Sequence, residues 1–263
     1  MLLAIDVGNT NTVFALHDGP GEADKGFVAQ WRTKTDSART ADQYFVWLRQ
    51  LMDFHNIGVR AIRRAICASV APKTVFNIKK LCETYFACTP LFVGAPDCRL
   101  PVEVRVDAPQ EVGADRIVNT VGAFTRYGPN LIVLDFGTAT TFDVVDEDGA
   151  YAGGVIAPGV NLSLEALHRA AARLPSIDVA RPAQVVGKNT LDCMRSGAYW
   201  GYAGLIDGVC ARIAEERGVG MNVVATGGLS ALFAKGVARI AHVDPDITMR
   251  GLVEIDAHNR REG

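Results

Sequence analysis

One pattern is written twice in this chain. Leu2-Leu3-Ala4-Ile5-Asp6-Val7-Gly8-Asn9-Thr10-Asn11-Thr12-Val13-Phe14 opens it, and Leu131-Ile132-Val133-Leu134-Asp135-Phe136-Gly137-Thr138-Ala139-Thr140-Thr141-Phe142-Asp143 stands near its middle. Shifted by 129 residues, the two share four apolar residues, an Asp, an apolar residue, a Gly, and then a run of hydroxyl and amide side chains. An Asp-Gly pair follows each copy, at Asp18-Gly19 and Asp148-Gly149. An apolar run closed by such a turn reads as a buried strand, a tight reversal and a second strand returning antiparallel. The shift is about half of the 263 residues, so the whole chain is expected to be two related halves.

The remaining pattern agrees. The first half continues with an apolar strand over 65–70, helical spacing over 73–86, a short strand over 91–93 and a helix over 112–127. The second has helices over 162–173 and 191–217 and a strand over 223–226. Strands followed by helices, twice over, predict an α/β protein with two mixed sheets flanked by helices and a ligand cleft between the halves. Gly128-Pro129 marks the break, giving halves 1–129 and 130–263.

Each copy places Gly, Thr and Asn or Thr directly after a buried strand that ends in Asp. Gly lets backbone approach a ligand, and hydroxyls, amides and backbone N–H groups can surround phosphate oxygens. Asp at the strand end can hold a cation beside them. One such turn is equally an ordinary hairpin; two, related by duplication, point to phosphate. A third segment, Val223-Val224-Ala225-Thr226-Gly227-Gly228-Leu229-Ser230, runs a buried strand into a Gly-Gly turn suited to a base or ribose lying against backbone. Other nucleotide motifs are absent. Gly187-Lys188-Asn189-Thr190 resembles the end of a Walker loop, but Asn follows the Lys and Pro182 occupies the required upstream glycine position. Asp135-Phe136-Gly137 lacks the companion protein-kinase segments, and no G-x-G-x-x-G follows a strand.

A net charge of −2 gives no large positive field, which speaks against nucleic-acid or anionic-membrane partners. The arginines Arg60, Arg63 and Arg64 read as a solvated surface cluster. Six cysteines without C-x-x-C pairing, and five histidines without ligand spacing, indicate neither a disulfide framework nor a zinc site. With no leader pattern and no apolar run of membrane length, the expected location is the cytoplasm.

Val112-Gly113-Ala114-Asp115-Arg116-Ile117-Val118-Asn119 begins a helix just before the second half. Asp115 could accept a hydroxyl proton and Arg116 could steady anionic oxygens. An Asp in a first helical turn is also favoured by the helix dipole alone. The expected position between the halves favours the chemical role.

At this point the chain resembles the type III pantothenate kinases, members of the actin-like superfamily built from duplicated RNase H-like domains. Asp6–Thr12 and Asp135–Thr141 resemble that family's two phosphate motifs, Gly113–Arg116 its pantothenate segment and Thr226-Gly227-Gly228 its adenosine motif. Gly153–Gly159, and Gly187–Thr190 through Ser196-Gly197, follow in the family's order.

The resemblance implies transfer of the ATP γ-phosphoryl group to the primary hydroxyl of pantothenate, with Asp115 as proton acceptor. It implies ATP contacts at Asp6, Val7, Gly8, Asn9, Thr10, Asn11, Thr12, Val13 and Thr138. Asp135 becomes the ligand of potassium or ammonium, and magnesium accompanies the nucleotide. Pantothenate contacts fall on Gly113, Ala114, Asp115, Arg116 and Thr190, in a homodimer whose pocket uses both subunits. Two positions depart from the family pattern: Val106 stands where an aromatic residue is usual, and Ala171, in Ala171-Ala172-Arg173-Leu174-Pro175, where Thr is usual. A kinase of the same superfamily with another acceptor would lack the Gly113–Arg116 segment. A non-catalytic transcriptional accessory factor would have lost the Asp or the turns, and this chain retains all of them.

Overall fold

A computed structural model describes residues 1–19, 26–171 and 174–261. Their strands form two five-stranded sheets. The first takes β1 (Leu2–Val7), β2 (Asn11–His17), β3 (Ala29–Lys34), β4 (Arg64–Ser69) and β5 (Leu91–Phe92), in the order β3-β2-β1-β4-β5. The second takes β6 (Leu131–Phe136), β7 (Ala139–Val145), β8 (Tyr151–Pro158), β9 (Asn222–Gly227) and β10 (Ile240–Val243), in the order β10-β9-β6-β7-β8. Read from the opposite edge, the second order repeats the first. In each, the central strand meets the hairpin strand antiparallel and the next strand parallel. The expected duplication is present as topology.

The central strands are long apolar runs because both faces of each are covered. Alternation along β1 sends Leu3, Ile5 and Val7 into one core and Leu2 and Ala4 into another. The first core lies under α1 (Ala41–Phe54) and α2 (Pro72–Tyr85). Helix α1 is an element the sequence reading did not single out. Its signal is a capping box: Gln43 N donates to the Thr40 side chain and Thr40 N to Gln43 Oε1. The core of the second sheet collects Ile132, Leu134 and Phe142 beneath α5 (Thr190–Arg217) and the short α6 (Ser230–Phe233).

The chain divides into compact units differently from the expected contiguous halves. One unit is 1–125 together with the segment from Ile247 onward; the other is 126–246. The C-terminal helix α7 (Ile247–Arg261) places Met249, Leu252, Val253 and Ile255 in the core shared by the first sheet and α3 (Ala114–Tyr127). Two glycines let α3 and α7 cross at close range. A Cβ on Gly122 would overlap the Ile247 carbonyl oxygen, and one on Gly251 the Val118 carbonyl oxygen. Helix α3 ends at Tyr127, and Gly128, with φ +79°, turns the chain toward β6, whereas the units divide after Thr125, inside the helix.

Candidate functional site

In the first unit, β1 ends at Asp6-Val7 and the chain reverses through 8–11. Gly8 N donates to the Asn11 carbonyl oxygen at 3.0 Å, and Val7 pairs with Thr12. Beside this turn, Val70 at the end of β4 donates its N–H to the Val7 carbonyl at 3.0 Å. Val70 in turn meets the Gly113 backbone: a Cβ on Gly113 would lie 3.5 Å from its side chain. The same Cβ would lie 2.5 Å from Asp115 Oδ1, so the glycine leaves room for that carboxylate. The structure thus brings the β1–β2 turn and the Gly113–Arg116 segment to the same end of one sheet.

Asp115 sits half-buried in the first turn of α3, where Arg116 N donates to its Oδ1 at 2.8 Å. Burial pushes its carboxyl above the ordinary aspartate value, outweighing the lowering by that hydrogen bond and by the Arg116 charge. A carboxylate with raised basicity, beside a phosphate-type turn, is suited to accepting a hydroxyl proton.

In the second unit the corresponding turn is one residue shorter. Gly137 N donates to the Ala139 carbonyl at 3.0 Å, and Phe136 pairs directly with Thr140. Beyond the turn the repeat therefore matches Thr12 with Thr140, where the 129-residue shift had put Thr141. Both threonines are fully buried. Asp135 stands opposite Thr141, whose hydroxyl donates to the buried Asp143 at 3.1 Å. Asp143 closes the second copy of the repeated motif.

The Gly-Gly segment joins this turn through the sheet, since Asp135 pairs with Thr226 and Phe136 with Gly227. Gly227 has φ +86°, and a Cβ there would lie 2.7 Å from Asp135 Oδ1. The missing side chain lets this backbone pack directly against the carboxylate. Thr226 is buried, and Ser230 Oγ donates to the Gly227 carbonyl at 2.8 Å, turning the chain into α6. Asp135, Thr138 and Thr226–Gly228 are therefore neighbours at the ends of β6 and β9.

Thr190 lies elsewhere in that unit, as the first residue of α5. Asn189 caps this helix, its Oδ1 accepting from Asp192 N at 2.9 Å. That explains the Asn after Lys188: the segment is a helix cap rather than a Walker loop. Gly187 packs directly on the first turn of α5, where a Cβ would overlap Cys193 N. Thr190 lines a cavity of about 690 Å³ walled by Leu164, Leu167, Met194 and Ala198 and edged by Lys188. The cavity is bordered by Val160 at the start of α4 (Val160–Ala170), next to Gly159, whose N–H donates to the Thr138 carbonyl at 3.1 Å. None of residues 113–116 contributes to its lining. Of the departures from the family pattern, Val106 is half-buried between β5 and α3, and Ala171 closes α4, its N–H donating to the Leu167 carbonyl at 3.1 Å; the neighbouring Ala172 and Arg173 lie outside the described residues.

Among the described residues no three His, Cys, Asp or Glu side chains gather as a metal cluster. No helix there is long and apolar enough to cross a membrane.

Two sheets of one topology, each with a Gly-hydroxyl turn leaving its central strand, define the actin-like, duplicated RNase H-like class of phosphoryl-transfer folds. Solved structures agree on the fold. A Campylobacter jejuni protein described as a Baf family transcriptional activator superposes with a TM-score of 0.60 at 19% identity, over 98% of this chain and 99% of its own. The activator of 2-hydroxyisocaproyl-CoA dehydratase from Clostridium difficile, solved with bound ADPNP, does so with 0.53 at 12% identity, over 99% and 94%. Sequence comparison reaches further. The type III pantothenate kinase profile matches residues 2–212. The type III pantothenate kinase of Dinoroseobacter shibae is 59% identical over 99% of both chains. That of Paracoccus denitrificans is 56% identical over 100% of this chain and 99% of its own. The chain belongs to the type III pantothenate kinase family, and is a kinase.

Proposed function

We propose that this kinase phosphorylates pantothenate from ATP, the first step toward coenzyme A, with Asp115 as general base. The observation that carries the assignment is the half-buried, basicity-raised Asp115 carboxylate, given room by Gly113 at the end of the sheet that also presents the β1–β2 turn. In this reading Asp115 accepts the proton of the primary hydroxyl as its oxygen attacks the γ-phosphorus and ADP leaves. Gly113, Ala114 and Arg116 orient the acceptor. Residues 6–13 and Thr138 hold the phosphates, and Thr226-Gly227-Gly228 lies against the adenosine.

Asp135 holds potassium or ammonium. The carboxylate at the end of β6 offers hard oxygen donors of the kind such an ion takes. Magnesium, when bound with ATP, neutralises phosphate charge. The working unit is a homodimer in which Thr190 completes the partner's pocket, and its location is the cytoplasm. Supporting the dimer, the second unit exposes Ile156, Leu162, Leu167, Val185 and Val186, an apolar set on and around the helices that wall the Thr190 cavity.

The deciding assay is ATP-dependent formation of phosphopantothenate by the purified chain, with and without potassium. Absence of product with both substrates and potassium present overturns the reading.

A further inference from the structure

A turn that grips phosphate must direct its backbone N–H groups toward the ligand and keep its carbonyl oxygens away from it, because carbonyl oxygens repel anions. In the β1–β2 turn, three carbonyl oxygens are occupied by the protein. That of Asn11 accepts from Gly8 N; the other two, Gly8 and Thr10, are taken by one residue outside the turn. Thr35 donates its hydroxyl to the Gly8 oxygen at 2.8 Å and its N–H to the Thr10 oxygen at 2.9 Å. Its Oγ1 also lies 2.9 Å from Oγ1 of the buried Thr12. A hydroxyl has one proton, and that of Thr35 is committed to Gly8, so Thr12 donates to Thr35. The result is a relay, Thr12 O–H to Thr35 O–H to the Gly8 carbonyl, tying the entry and exit of the turn together.

Thr35 is well anchored for this. The preceding Lys34 pairs with Asn11, and Thr33 pairs with Thr12. Arg39 bonds the Thr33 hydroxyl and stacks over the rings of Tyr44 and Trp47, at 4.7 and 5.1 Å from their centres.

In the second turn the equivalent position is Gly159. Its N–H donates to the Thr138 carbonyl as that of Thr35 does to Thr10, but a Cβ there would overlap the same oxygen. No hydroxyl can be placed, and Thr140 Oγ1, the counterpart of Thr12 Oγ1, has no hydrogen-bond partner among the described residues.

From this geometry we infer that Thr35 is a positioning residue for nucleotide binding: its hydroxyl clamps the β1–β2 turn in the anion-binding orientation. The inference rests on the reading of that turn as the phosphate grip. Loss of the hydroxyl leaves the Gly8 carbonyl and the Thr12 hydroxyl unsatisfied and lets the carbonyl swing toward the phosphates.

The test uses the whole chain and four variants: Thr35→Val, Thr35→Ser, Thr84→Val and Asn9→Ala. Thr35→Val should raise the KM for ATP and the Kd of a non-hydrolysable ATP analogue about tenfold, the scale of one lost hydrogen bond with its partner left unsatisfied. The KM for pantothenate should stay within about twofold. Thr35→Ser, which keeps the hydroxyl, should return nucleotide affinity to near wild type. Thr84→Val, which removes an exposed hydroxyl on α2, should leave it unchanged. If the valine variant expresses poorly, Thr35→Ala replaces it. Unchanged nucleotide affinity in the hydroxyl-less variants, while Asn9→Ala weakens it, overturns the role of Thr35 and leaves the phosphate turn standing. Unchanged affinity in Asn9→Ala as well shows that the turn is not the grip. A loss in both substrates that serine does not rescue marks Thr35 as merely structural, and also overturns the inference.

Discussion

The turn after β1 and the turn after β6 repeat one pattern, yet they are braced by different chemistry. The first spans 8–11 and is clamped from outside by the hydroxyl and N–H of Thr35. The second spans 137–139 and is braced by the backbone N–H of Gly159, which packs too close to Thr138 to carry a side chain. Their neighbours differ too. The first turn shares its end of the sheet with the Gly113–Arg116 segment, while the second has Asp135 and the close-packed Gly227. Duplication supplied two similar turns, and local packing differentiated them: the buried Asp115 carboxylate stands beside one, Asp135 and the Gly-Gly segment beside the other.

The most damaging test of that division is Asp115→Asn. The amide keeps the shape and loses the basic oxygen, so kcat should fall about 10²–10⁴-fold with little change in ATP affinity. Because burial raises the Asp115 carboxyl, the acid limb of kcat/KM against pH should lie above that of an exposed aspartate, and the variant's residual rate should lack this limb. The same shift carries a sign for stability. A raised folded value means the folded state holds the proton more tightly, a contribution present at low pH and lost as pH rises through that value. Asp115→Asn should therefore melt slightly higher than wild type at neutral pH. A variant that keeps more than about a third of wild-type kcat would place the base elsewhere.

The two braces predict unequal tolerance. Gly159→Ala forces a Cβ against backbone and should cost about 1–3 kcal/mol in urea unfolding, with loss of ATP affinity. Thr35→Ala removes atoms rather than adding them and should cost about 1 kcal/mol. Equal costs would mean that the second turn yields where the structure has it rigid.

Asp135→Asn sharpens the contrast between Asp115 and Asp135. Removing the charge should raise the KM for ATP about tenfold, the scale of a charge-assisted contact, and leave pantothenate binding nearly unaffected. Wild-type rates should be higher in potassium or ammonium than in sodium at equal ionic strength, and equal rates in all three count against the cation site.

The smallest expected effect concerns Thr190. Mixing Asp115→Asn subunits with subunits carrying a bulky residue at 190 should restore about a quarter of sites under random re-pairing, as in a symmetric two-fold pair. No recovery despite demonstrated exchange would remove Thr190 from the partner's pocket.

Much of this architecture is legible along the chain. Strands 131–136 and 222–227 stand out because a strand covered on both faces must be apolar throughout, and the helices over 72–85, 114–127 and 190–217 carry local periodicity. What was not legible arises from contacts between distant segments. Nothing within 247–261 says which sheet α7 covers; Gly122 and Gly251 decide it by admitting a close crossing with α3. The missing residue in the second turn hides in Thr138-Ala139-Thr140-Thr141, where either threonine matches Thr12, and only strand pairing selects Thr140.

By itself, then, the sequence determined the duplication, the two hydroxyl-bearing turns and the family, because each is a local pattern of side-chain types. Which turn receives a clamp was decided by tertiary structure. The Thr35 hydroxyl reaches Gly8 from 27 residues away only once β3 has paired with β2, and the equivalent register leaves Gly159 no room for one. Hydrogen bonds of that reach depend on strand register, and register is a property of the folded sheet rather than of any segment within it.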